Sequence, residues 1–278
     1  MPDAARTKLG LALGSGGVKG VAHLGVIRCL LDNGIAINYL SGSSMGALVG
    51  ALFAYTGDIA AAENLFESLN ILRQGAKLVD ISTRNGMLKG ARIEAFLDSY
   101  LRGASFEDLR LPLIVVATDL NTGEPVLMNT GPVSKAVHAS ISATPVFQPI
   151  EYGGRMLFDG GLSNPVPAGV LRVMGAEHVI AVSLSNGYFE RRLDAKDKPT
   201  SMTSRAFAVI QYNLSTYTVV PADIVIEPPI DNQSILGLKG LLDRQLLHKY
   251  VQAGYDAARV QVAAIKRRCA MDPEQLGA

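Results

Sequence analysis

The sequence predicts an α/β fold, a three-layer sandwich in which a central, mainly parallel sheet is covered by helices on both faces. Three observations predict it. Short apolar runs alternate with longer stretches of helical periodicity along the chain. The runs are apolar throughout and not at every second position, which is the pattern of strands buried on both faces. With 278 residues, 48% hydrophobic and 18% charged, the chain is large enough to bury such a core.

Taken in order, "KLGLALG" (Lys8 to Gly14) reads as the first strand and "GVAHLGVIRCLLDNG" as a helix ended by Gly34. "INYLSG" is the second strand, followed by a small-residue helix, "MGALVGALFAYTG", ended by Gly57. "LPLIVVATDL", "EPVLMNTG", "EHVIAVSLS" and "ADIVIEPP" read as further strands. "ARIEAFLDSYLRG", "NPVPAGVLRVMG" and the long "GLLDRQLLHKYVQAGYDAARVQVAAIKRR" read as helices. The most polar stretch, Asn186 to Arg205, is expected to be a mobile surface loop and not a domain linker, because strand-like sequence resumes after it. The expected division is a catalytic domain over residues 8–229 and a C-terminal helical extension, residues 230–278, packed on that domain. Asn33 to Gly57 runs 25 residues without a charge, but Asn, Ser and Gly interrupt it, so it reads as a buried strand and helix and not as a membrane span.

Composition removes several classes of function. The net charge is +1 and no basic run exceeds Lys266 to Arg268, so nucleic acid is not an expected partner. Cys29 and Cys269 stand far apart without metal-ligand spacing, which argues against a disulfide framework and a zinc site. The first ten residues carry a charge and no apolar core, so they do not read as a secretory signal. The expected location is cytoplasmic, with transient contact at a membrane surface.

Two glycine-rich turns carry the chemistry. The first, Gly14 to Gly20 ("GSGGVKG"), follows the first strand and opens a helix. It is not a nucleotide loop: Gly20 follows Lys19 where a Walker sequence needs Ser or Thr, and Lys19 stands where a dinucleotide fingerprint needs glycine. Its Gly14, Gly16 and Gly17 instead free backbone N–H groups at a helix N-terminus, a place that favours an anion. The second, "GSSMG" (Gly42 to Gly46), fits G-x-S-x-G between a strand and a helix, the context of a nucleophile elbow. There Ser44 would attack a carbonyl while the N–H of Met45 faces the oxygen that becomes negative.

A hydroxyl nucleophile needs a base. His23, His138, His178 and His248 sit where packing or surface histidines sit, and only one strand precedes the elbow, unlike the α/β-hydrolase order. Asp159 in "FDGGLSNPVP" is the stronger candidate, because Gly160 and Gly161 let a second backbone approach it.

On these motifs the sequence resembles the patatin-like phospholipase family, including catalytic domains of the neuropathy-target-esterase type, from Lys8 to about Pro229. "GSGGVKG" looks like its oxyanion element, "GSSMG" like its elbow and "DGG" (Asp159 to Gly161) like its catalytic-acid motif; "LPLIVVATDLNTGEPV" and "ASISATPVFQPI" look like blocks between them. The resemblance implies a Ser-Asp dyad of Ser44 and Asp159, with the oxyanion bound by N–H groups of Gly16, Gly17, Val18 and Met45. "SATPVF" departs from the more usual Ser-x-Pro-Gly, and His138 stands where Arg is common, two changes that bear on the acyl pocket. The expected function is hydrolysis of lipid or similar acyl esters through an acyl-enzyme, with no cofactor and no metal. An acyltransferase using the same serine and a non-catalytic regulatory protein on this fold are the alternatives. Lys19 is expected to anchor its loop in preference to meeting a lipid phosphate.

Overall fold

The computed structural model describes residues 7–68, 89–143, 147–186, 199–230 and 244–270. Its first strand, β1 (Leu9–Leu13), is Leu-Gly-Leu-Ala-Leu, and strand geometry sends these side chains alternately to opposite faces. The three leucines join the larger core cluster, whereas Ala12 joins a smaller one with Val166, Ala168 and Leu171. Small residues on that second face let a helix come close: a Cβ on Gly10 would stand 3.0 Å from the Cβ atoms of Leu171 and Ala176. The result is three layers, with most helices on the leucine face and one short helix on the other.

The elements run β1, α1 (Ala22–Asp32), β2 (Tyr39–Ser43), α2 (Met45–Thr56), α3 (Ile59–Ser68), α4 (Ala91–Leu101), β3 (Leu113–Asp119), β4 (Pro125–Met128), α5 (Val133–Ile141), β5 (Ile150–Tyr152), β6 (Arg155–Asp159), α6 (Ala168–Val173), β7 (His178–Val182), α7 (Pro199–Thr218), β8 (Ile224–Ile226) and α8 (Arg244–Ala270). Hydrogen bonding orders the sheet β5-β6-β3-β2-β1-β7-β8, with β4 also on β3. β1, β2, β3, β7 and β8 are parallel; β4, β5 and β6 are antiparallel to their neighbours. The predicted mainly parallel sheet, covered on both faces, is what the chain forms.

The registers fix where β6 lies. Ala117 and Thr118 pair with β4 and also with β6, so those two strands flank β3 on opposite edges. Val115 and Val116 pair with β4 and with β2, so β2 and β6 share one edge. They approach along it from opposite ends and stop at Ser43 and Asp159.

The uncharged segment 33–57 divides into β2 and α2, and α2 is buried without a break from Gly46 to Ala54. Among the described residues no helix is long and apolar enough to cross a membrane. α8 packs along α1, where Gly25 and Gly254 let the two backbones touch: a Cβ on Gly254 would stand 2.8 Å from the carbonyl carbon of Ala22.

The structure also corrects the sequence. Residues 199–205, expected in a mobile loop, form the first turns of α7. Pro199 occupies the first helical position, where its missing N–H has no helical partner in any case, and the Ser/Thr-rich turn after it disguises the helix as a loop. Residues 187–198 of that expected loop lie outside the described residues. The helices α3 and α5 and the hairpin β5–β6 also have no counterpart in the expected elements. The hairpin closes on Gly153-Gly154, both at positive φ, as a two-residue turn requires.

Candidate active site

Ser44 joins β2 to α2 at φ 54°, ψ −123°, and it is one of two non-glycine residues with positive φ among those described. A side chain in that region is strained by roughly 1–3 kcal/mol unless its surroundings hold it. Close packing holds it here. A Cβ on Gly42 would stand 2.6 Å from both N and Cα of Ala47, so only glycine lets the strand fold back onto the helix. Gly46 lies against the Leu13 and Gly14 carbonyls with no room for a side chain, which clamps the elbow to the end of β1.

The Ser44 hydroxyl donates to Oδ2 of Asp159 at 2.6 Å. The other carboxylate oxygen, Oδ1, accepts the N–H of Gly161 at 2.7 Å, and Thr118 Oγ1 donates to the Asp159 carbonyl at 2.8 Å. Gly160 lies against the Val116 carbonyl and Ser43, which brings the turn after β6 onto the end of β2. Asp159 is 4% exposed. Burial disfavours its charge and pushes its pKa up to about 6, against the pull of the hydrogen bonds from Ser44 and Gly161. A carboxyl poised there ionises at neutral pH yet remains basic enough to take a proton.

The Gly14–Gly20 loop sits beside this pair. Gly17 to Val21 form a single 3-10 turn, and Gly17 has φ 54°. The N–H groups of Gly17 and Val18 head that turn and the N–H of Met45 heads α2, so helical bonding gives none of them an internal acceptor. Met45 lies over Gly20: a Cβ there would stand 2.5 Å from the Met45 Cβ. The loop is tied down on several sides. Gly14 N–H bonds to the Val182 carbonyl at 3.0 Å, Ser15 N–H to that of Pro165 at 2.8 Å, and Ser15 Oγ to Ser43 Oγ at 3.0 Å. Lys19 is buried, and its ammonium donates to the Leu184 carbonyl at 2.6 Å, the anchoring expected of it.

Among the described residues no histidine bonds to Ser44 or Asp159. His23 is fully buried with Nε2 2.7 Å from the Gly14 carbonyl. A carbonyl only accepts, so Nε2 carries the proton and His23 fixes the start of the loop; burial lowers its pKa to about 4 and keeps the ring neutral. His138 pairs through Nδ1 with Glu94, His178 faces Asp223 at 3.8 Å, and His248 is exposed on α8. Groups of three or more His, Cys, Asp or Glu able to hold a metal are absent among the described residues.

One residue escaped the sequence. Ser140, fully buried on α5, accepts the Ser44 N–H at 2.9 Å and donates to the Val116 carbonyl at 2.6 Å. It tethers the strained backbone of the elbow to β3. Nothing in the local sequence "AVHASI" marks it, and only tertiary pairing shows its partner.

The sequence profile described as Patatin-like phospholipase matches residues 11–172, which contain both glycine turns, Ser140 and Asp159. An uncharacterised NTE family protein of Mycobacterium tuberculosis is 36% identical over 195 residues, 70% of this chain and 54% of that protein. Mouse patatin-like phospholipase domain-containing protein 7 is 30% identical over 185 residues, 64% of this chain and 14% of that protein. The chain thus spans about half the length of that mycobacterial relative. Among solved structures, VipD from Legionella pneumophila superposes with a TM-score of 0.63 at 15% identity, over 93% of this chain and 67% of that one. The type III effector protein ExoU gives 0.51 at 14% identity, over 96% and 54%. At such identity the likeness is one of fold.

Proposed function

The chain belongs to the patatin-like phospholipase family, and from that premise we propose that it hydrolyses carboxylic esters of lipids through an acyl-enzyme on Ser44, with Asp159 as the base. The observation that carries this reading is the 2.6 Å hydrogen bond from the Ser44 hydroxyl to a buried carboxylate, in the absence of any bond from a histidine to either group among the described residues. In the first step Ser44 Oγ attacks the acyl carbon and its proton passes to Asp159 Oδ2. The carbonyl oxygen becomes an oxyanion beside the N–H groups of Gly16, Gly17, Val18 and Met45, whose direction is fixed before substrate arrives. As the tetrahedral species collapses, the alcohol leaves with the proton from Asp159. Water then attacks the acyl-enzyme and gives its proton to the same carboxylate; as the second tetrahedral species collapses, Asp159 returns that proton to Ser44 Oγ and the acid is released.

In this reading Gly14, Lys19 and Gly20 shape the oxyanion loop, Gly42 and Gly46 the elbow, and Gly160 and Gly161 the turn that seats the acid. Residues 8–229 would be the catalytic domain, with 230–278 its helical extension. No step calls for a metal or a cofactor. The test is release of fatty acid from phospholipid and lysophospholipid by the wild-type chain and by folded Ser44→Ala. Hydrolysis confined to the wild type is expected; equal hydrolysis by both would remove the reading.

A further inference from the structure

Of the ten large apolar side chains exposed among the described residues, six fall between Met202 and Val220. Five of them, Met202, Val209, Ile210, Tyr217 and Val220, recur at spacings of seven, one, seven and three, which places them on one side of α7 and its C-terminal turn. Their exposure runs from 37% at Val209 and 49% at Ile210 to 75% at Tyr217, and the exposed Ala206 and Asn213 lie among them on the same side. A stripe of this length on one helix is the arrangement that marks an interaction surface, unlike the single exposed residues Leu120, Leu127, Val173 and Val260 elsewhere.

The inward side of α7 belongs to the site. Gln211 lies against Gly161 in the turn after Asp159, and Ser215 accepts the hydroxyl of Ser185 at 2.6 Å, one residue beyond the carbonyl that anchors Lys19. Whatever covers the outer stripe therefore sits at the edge of the catalytic turn. Charge indicates what that is. No carboxylate occurs from Pro199 to Ala222, and the single charged residue is Arg205. A mainly apolar face free of acidic side chains with a cation at its flank matches the surface of an anionic bilayer, and Tyr217 near the helix end has the amphipathic ring suited to the headgroup level.

We infer that α7 is an interfacial helix that lays its Met202–Val220 face on an anionic phospholipid surface and so presents lipid esters to Ser44. The inference rests on the lipid-ester reading for its purpose, and its test is separate from that reading. The full chain is sedimented with vesicles of mixed phosphatidylcholine and phosphatidylglycerol, and hydrolysis of a short-chain water-soluble ester is measured alongside. Wild-type protein should pellet with the vesicles. The double variant Val209→Glu/Ile210→Glu, and separately Tyr217→Glu, should bind at least roughly tenfold more weakly, because each loses apolar area that would leave water. Soluble-ester turnover should stay at the wild-type value in both, and Tyr217→Glu should leave the unfolding temperature unchanged as well, since Tyr217 already faces solvent. Failure of the wild type to bind, or equal binding by the variants, overturns the interfacial helix, as does a wild-type dimer that these substitutions dissociate without any vesicle binding. Vesicle binding that the substitutions abolish, in a chain that cleaves no ester, would support the helix and remove the hydrolase reading instead.

Discussion

Ser44 Oγ and Asp159 Oδ2 meet at 2.6 Å although 115 residues separate them in sequence, because β2 and β6 end head to head on one edge of β3. The fold aligns two strand ends, and each end carries one partner of the pair.

Replacing Asp159 by Asn keeps the shape of the pair and removes the proposed base. Activity should fall to the level of Ser44→Ala, because an amide does not accept the serine proton. Stability should move the other way. The carboxyl ionises near 6 in the folded protein against an ordinary 3.8, so the native state holds its proton more tightly and stability declines as pH rises through that interval. At pH 7.5 the Asn variant should therefore be more stable by roughly 1–3 kcal/mol, with the gain vanishing below about pH 4. Chemical denaturation at the two pH values measures both.

On the proposed mechanism the same carboxyl sets the pH profile. Below about 6 it is protonated and no longer accepts the serine proton, so kcat/KM on a soluble ester should fall about tenfold per pH unit on the acid side. A histidine base would give a similar limb, and His138→Gln separates the cases. His138 bonds to Glu94 and to neither catalytic candidate, so the limb should persist in that variant with turnover within about tenfold of wild type. A loss of turnover to the Ser44→Ala level would transfer the role of base to His138.

Ser140→Ala leaves the Ser44 N–H and the Val116 carbonyl without their shared partner. The nucleophile should drift from its attack position, lowering kcat roughly 10- to 100-fold with little change in KM. Ser140→Thr, which restores the hydroxyl, should recover part of the loss. A purely structural role would instead lower the melting temperature and leave kcat of the folded fraction intact.

Gly17→Ala probes the proposed oxyanion loop. Gly17 lies at φ 54°, where a side chain is disfavoured by about 1–2 kcal/mol. The stability loss should stay within that range, whereas a displaced N–H donor costs about 10²- to 10³-fold in rate. Turnover and melting temperature measured on one preparation separate the two effects.

What the sequence revealed was local, and what it hid was tertiary. G-x-S-x-G between a strand and a helix, and glycines after an apolar run ending in Asp159, are signatures within a few residues, and they located both partners of the pair. The parallel core was legible because β1, β7 and the first five residues of β3 are apolar on both faces. The antiparallel β6 was not, because it is exposed at its start and placed only by its register on β3. α7 was misread because its first turns are rich in Ser and Thr, and its exposed apolar stripe violates the pattern of a helix buried on its apolar side. Ser140 has no sequence signature, since its importance lies in a bond to a backbone N–H 96 residues away.

The central claim is that Ser44 carries the acyl group. Incubation with a fluorophosphonate probe, digestion and mass mapping tests it most directly. One adduct is expected, on the peptide containing Ser44, with ester hydrolysis lost in proportion to labelling and neither labelling nor hydrolysis seen in folded Ser44→Ala. An adduct on another serine, or hydrolysis that survives full modification of Ser44, would contradict it.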